Sequence, residues 1–139
     1  MSKNPIESGV NQKPIISTDN PIDPQPLTNM FGDNPELFKE ILNDFIVPTW
    51  KIINEIKTGW ENHSAEEIEM SAHKLKSSAK SVGATELGDI CTILEVAGKK
   101  QDWASIEQLI PRLDPVMNDI EQYIKNLQVN LALGKDGVE

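Results

Sequence analysis

Between about Asn34 and Leu127 the apolar residues of this chain recur at helical spacing, with almost no strand-like alternation to compete with it. Ile106, Leu109, Ile110, Leu113, Val116, Met117, Ile120 and Ile124 keep that period straight across Pro111 and Pro115. The pattern predicts one helix, bent at its prolines, from Trp103 to about Leu127, with Asp102 as its N-cap. A chain patterned this way has to bury one stripe of each helix against other helices, which points to an all-α fold.

The remaining segments fit the same scheme. A first long helix is expected from about Asn34 to Trp60, with Pro35 in its first turn and an apolar face of Leu37, Phe38, Ile41, Leu42, Phe45 and Ile46, followed by Ile52, Ile53 and Ile56. Pro48 is expected to kink it or split it in two. A short helix around Leu27 to Phe31 precedes it. The second long helix opens on a capping box, Ser64 with Glu67, and runs to about Val82, where Gly83 ends it. The third spans about Thr85 to Ala97 and stops before Gly98. Four amphipathic helices on short loops predict an antiparallel up-and-down four-helix bundle with a short extra N-terminal helix, over residues 27–129. Residues 1–26 carry Pro5, Pro14, Pro21, Pro24 and Pro26 without a hydrophobic period and read as a disordered tail, and residues 130–139 read as a flexible C-terminal tail.

Composition narrows the function. With 139 residues and 38% hydrophobic content the chain supports one modest core. Cys91 is the lone cysteine, so no intramolecular disulfide forms, and its spacing with Leu87, Ile90 and Leu94 marks it as a small core residue. A formal charge of −9 argues against the phosphate backbone of a nucleic acid as partner, since such binding needs concentrated Lys and Arg. No window approaches the apolar length of a membrane span and the amino terminus lacks a signal-peptide core, so a cytoplasmic protein is expected. Neither a Gly-rich phosphate loop nor an Asp cluster suited to Mg²⁺ is present, so the chain is expected neither to bind ATP nor to hydrolyse phosphate by itself.

The chemistry-bearing stretch is Ala72-His73-Lys74-Leu75-Lys76-Ser77-Ser78-Ala79-Lys80-Ser81-Val82-Gly83-Ala84. At about 100° per residue, Ile68, Ala72, Leu75, Ala79 and Val82 form one apolar stripe and His73 points away from it. Glu69, Lys76, Ser77 and Lys80 are its neighbours on that outward face. Lys74, Lys76 and Lys80 reverse the sign of an otherwise acidic chain, and the small side chains of Ser77, Ser78 and Ala79 let a partner surface come close. An exposed imidazole with an ordinary pKa of about 6.5 is a nucleophile near neutral pH once its second N–H is held by an acceptor. Glu69, one turn away, is the first candidate for that acceptor, and Glu95 on the next helix is the other. His63 precedes the Ser64 cap in a loop without a nearby cation and reads as a surface residue. At ten residues apart, His63 and His73 do not share the spacing of a metal pair.

The run from His73 through Lys76, Ser77, Ala79, Val82, Gly83 and Ala84, with Leu87, Cys91 and Leu94-Glu95 after it, resembles the histidine-containing phosphotransfer (HPt) domain of two-component phosphorelays over about residues 30 to 127. The resemblance implies a phosphocarrier without autonomous kinase or phosphatase activity, which accepts a phosphoryl group on His73 from a receiver-domain aspartate of a hybrid kinase and passes it to a response regulator. It makes Lys76 the residue that steadies the phosphoryl group and Gly83 the residue that closes the helix. Receiver domains are the implied partners, docking on His73, Lys76, Ser77 and Lys80, with Glu69 and Met70 beside them and Glu95, Lys99 and Lys100 on the following helix. Ser77 stands where the family often has glycine. No cofactor of its own is implied, and Mg²⁺ comes with the receiver. A monomer is expected, and Met1 with the short carboxyl tail suggests a free-standing module. The alternative is a helical adaptor that binds a receiver without phosphotransfer.

Overall fold

The computed structural model describes residues 20–138, with side chains through residue 128. Among the described residues it has five helices and no strand: α1 Gln25–Phe31, α2 Pro35–Glu61, α3 Ala65–Ser81, α4 Thr85–Lys100 and α5 Trp103–Val138. Helices α2 to α5 form a closed ring of sequential neighbours in which α5 returns to pack on α2. The expected all-α, up-and-down four-helix bundle with its short extra N-terminal helix is therefore the observed architecture.

The termini of the helices follow local chemistry. Asn34 Oδ1 accepts the Leu37 N–H at 3.1 Å, Ser64 Oγ accepts the Glu67 N–H at 3.3 Å, and Asp102 Oδ1 accepts the Ser105 N–H at 3.2 Å. Each satisfies a donor that a helix start leaves unpaired. Pro48 does not split α2, and Pro111 and Pro115 lie within the unbroken α5. The physical reason is placement. All three prolines are exposed, as are Asp44, Glu107 and Pro111, the residues whose carbonyls they leave without a helical partner, so the lost bonds fall on the solvent side of the helices, where an unpaired carbonyl costs little.

The core is one cluster to which every helix contributes, with Leu27, Ile53, Ile56, Ile68, Leu75, Leu94, Ile106 and Leu113 almost wholly withdrawn from water. Each such side chain contributes about 1.5–3 kcal/mol of burial, set against the entropy of ordering the chain. Cys91 belongs to this core, and burial pushes its thiol up to about 12. Across the bundle, Trp50 Nε1 donates to Glu121 Oε1 at 2.7 Å and Lys57 Nζ lies 2.6 Å from Asp114 Oδ2, which sets the register of α2 on α5.

Three expectations are corrected. The proline-rich tail was expected to reach residue 26, and its first nineteen residues lie outside the described residues; residues 20–26, however, pack onto the bundle. Ile22 is 2% exposed, the Asp23 N–H donates to the Gly83 carbonyl at 2.8 Å, and α1 already begins at Gln25. Two apolar side chains, Ile22 and Leu27, suffice to anchor this strap, and they are too few to register as a period. Secondly, α4 does not stop before Gly98 but continues to Lys100, capped by Gln101 in the left-handed conformation at φ 55°. Gly98 instead lies against the backbone of α3, where a Cβ would stand 2.9 Å from the Ala65 carbonyl oxygen. Thirdly, residues 128–138 continue α5 past Leu127, where the residues expected as a tail include the helix formers Leu131, Ala132 and Leu133.

Candidate functional site

The rotation of α3 is set by Ile68, Ala72, Leu75 and Ala79, all fully buried. His73 follows Ala72 and is thereby carried to the edge of the buried stripe, on the side facing α4, where its side chain is 61% exposed. Lys76 and Lys80 follow on the same edge at one-turn intervals.

Two glycines of α4 let the helices approach each other there. A Cβ on Gly98 would stand 2.9 Å from the Ala65 carbonyl oxygen and 3.0 Å from the Glu69 amide nitrogen, and one on Gly88 would stand 2.8 Å from Cγ of Lys80. Between these two contact points lies Glu95. Its side chain is 13% exposed, and it reaches α3 with both carboxylate oxygens. Oε2 is 2.9 Å from His73 Nδ1 and Oε1 accepts from Lys76 Nζ at 2.6 Å. The Lys76 ammonium, followed by the imidazole, holds the Glu95 carboxyl below the usual carboxylate range, against the opposing effect of burial. An ionised carboxylate has no proton to give, so the ring nitrogen facing it carries the hydrogen. Nδ1 is therefore the protonated nitrogen of neutral His73, and Nε2 keeps its lone pair for a reagent arriving from solvent.

Sequence reasoning named Glu69 first as the acceptor that fixes the ring. The partner is Glu95, because Glu69 lies against Gly98 at the contact of α3 with α4, a turn away from the imidazole. Met70, Glu69 and Lys99 share with His73 and Glu95 the walls of an open groove, and Met70 is exposed. Ser77 is exposed beyond His73. Lys80 lies with its aliphatic stem across Gly88. Of the lysines around His73, Lys74 turns the other way and pairs with Glu55 of α2 at 3.0 Å. The two α4 glycines went unrecognised as site residues. The available signal was their position, since glycine inside a helix costs about 1 kcal/mol relative to alanine.

His63 occupies the turn between α2 and α3 with φ 56°, its ring stacked on Trp103 at 3.9 Å between centroids. Its ring has an aromatic partner at the end of the bundle, which fits a structural part there. Among the described residues no helix is long and apolar enough to cross a membrane.

The sequence matches the Hpt domain family over residues 40–131. No curated protein matches it. Among solved structures the chain is similar to histidine-containing phosphotransfer protein B (HptB) from Pseudomonas aeruginosa PAO1, with a TM-score of 0.70 over 77% of this chain and 93% of that one. At 16% identity that likeness is one of fold.

Proposed function

Since the chain belongs to the Hpt domain family, whose members carry phosphoryl groups in two-component relays, we propose that His73 is its phosphoryl acceptor, taking the group from a receiver-domain aspartate and passing it to a second receiver. The observation that carries this reading is the 2.9 Å contact of His73 Nδ1 with Glu95 on a ring that is otherwise open to solvent.

In the reaction, the Nε2 lone pair forms the N–P bond in line as the P–O bond to the partner's aspartate breaks. The aspartate leaves with that electron pair, and the Nδ1 proton stays in place on the hydrogen bond to Glu95. The transition state is loose and spreads charge over the equatorial oxygens, so the work lies in positioning and in supplying positive charge. Lys76, one turn from His73, is the cation on this side, and Lys80 is a more distant one. Met70, Ser77 and Lys80 form the docking face, with Glu69 and Lys99 at its margin. Among the described residues no cluster of three or more His, Cys, Asp or Glu is arranged to hold a metal. We assign the Mg²⁺ of the reaction to the receiver's own aspartate pocket. Autonomous kinase or phosphatase activity is not expected, nor is a nucleic-acid partner, and we assign the protein to the cytoplasm as a monomer.

The test is transfer of radiolabel from phosphorylated receiver domains to the wild type and to His73→Gln. Acid-labile label on the wild type alone is the expected result, with the variant folded as judged by circular dichroism. Undiminished label on His73→Gln overturns the assignment. Receiver binding without any label favours the adaptor.

A further inference from the structure

Glu95 is committed twice, and the second commitment has a consequence for the reaction. In the resting protein the Lys76 ammonium rests on Glu95 Oε1 at 2.6 Å, with the lysine side chain 28% exposed. The cation expected to meet the phosphoryl group is therefore already neutralising a carboxylate. Both anions compete for it. A phosphoryl group on Nε2 brings about two negative charges at neutral pH, by analogy with other phosphorylated side chains. Lys76 sits three residues from His73 on the same face, and its flexible stem serves either anion but not both at full strength.

We infer that Lys76 and Glu95 form a latch that opens when His73 is phosphorylated and closes when the phosphoryl group leaves, so that Glu95 holds down the standing level of phosphohistidine and favours passing the group on. The inference rests on the function proposed above. As the N–P bond forms, Lys76 moves from Glu95 to the phosphoryl oxygens. Glu95 is left holding the Nδ1–H of the ring, which now carries a formal positive charge beside the doubly negative phosphoryl group, and it has lost the lysine from Oε1. As the N–P bond breaks, its electron pair returns to Nε2, the phosphoryl group joins the acceptor's aspartate oxygen, and Lys76 returns to Glu95. The carboxylate thus has two effects of opposite sign. It readies Nε2 to attack by holding the tautomer, and it raises the free energy of the phosphorylated product by reclaiming the lysine. A neutral acceptor on Nδ1 would supply only the first.

Glu95→Gln separates the two, since its carbonyl still accepts from Nδ1–H while the charge that draws Lys76 is gone. The measurement is the equilibrium constant between the wild type and whichever receiver labels it, repeated for Glu95→Gln, Lys76→Gln and the double variant. For Glu95→Gln we expect the equilibrium to move toward phosphohistidine on the order of tenfold, a shift of about 1.4 kcal/mol. We also expect Lys76→Gln to reduce phosphohistidine severalfold more in the Glu95→Gln background than in the wild type, because there the lysine serves the phosphoryl group alone. A purely structural Glu95 predicts equal lysine effects in both backgrounds. That additivity, or a Glu95→Gln equilibrium within twofold of the wild type or shifted toward the receiver, overturns the latch. A wild type that takes no label from any receiver overturns instead the phosphocarrier reading beneath it.

Discussion

Gly83→Ala tests how the N-terminal strap is held to the end of α3. Gly83 has φ 86°, a conformation that costs an L-residue about 1–2 kcal/mol. A Cβ there would also overlap the Asp23 carbonyl oxygen and lie 2.9 Å from the Asp23 carbonyl carbon, so the strap has to lift. Lifting it breaks the Asp23 N–H bond to the Gly83 carbonyl, about 1 kcal/mol. It also begins to expose Ile22, whose full burial contributes about 1.5–3 kcal/mol. The expected loss is therefore about 3–5 kcal/mol, at the upper end for a single substitution and a large part of the stability of a domain this size. Urea unfolding followed by circular dichroism measures it. Ile22→Ala supplies the control, because a strap already loosened resists the new Cβ less. The two substitutions should then couple by about 1 kcal/mol or more. A Gly83→Ala loss below about 1 kcal/mol, or strict additivity with Ile22→Ala, would refute the reasoning.

Two further outcomes follow from the titrating groups. Because burial pushes the Cys91 thiol up to about 12, an aromatic disulfide reagent at mildly alkaline pH should leave the folded protein unmodified and label it promptly in urea; labelling of the folded protein at the unfolded rate would contradict the burial. Lys76, followed by His73, holds Glu95 below the ordinary carboxylate range, so the unfolded chain binds this proton more readily. The resulting stability is present above the ordinary carboxylate pKa and is lost as pH falls through the lowered value. Urea midpoints of the wild type and Glu95→Gln should accordingly move toward each other as pH is lowered from 6 to about 3, and a constant gap would show that the ion pair contributes nothing to stability.

Much of the fold is legible because a helix reports its buried face at a fixed period. Ile68, Ala72, Leu75 and Ala79 fall into one stripe before any coordinates are known, and every one of them is buried. The Ser64 and Asp102 caps are legible too, since each side chain bonds a backbone donor three residues on. The strap of residues 20–26 was not legible. Its hold on the bundle consists of Ile22, Leu27 and one bond to Gly83, contacts between residues far apart in sequence that leave no local pattern.

The candidate site divides along the same line. Sequence alone determined that His73 leaves the apolar stripe with Lys76 one turn on, since both follow from the period of a single helix. Only the tertiary structure decided which carboxylate meets the imidazole. Glu69 is nearer in sequence and on the same helix, yet Glu95 makes the contact, because Gly88 and Gly98 bring α4 close to α3 and place Glu95 between those two points. The distance between two helices depends on the side chains missing from their contact, and no periodicity within either helix records it.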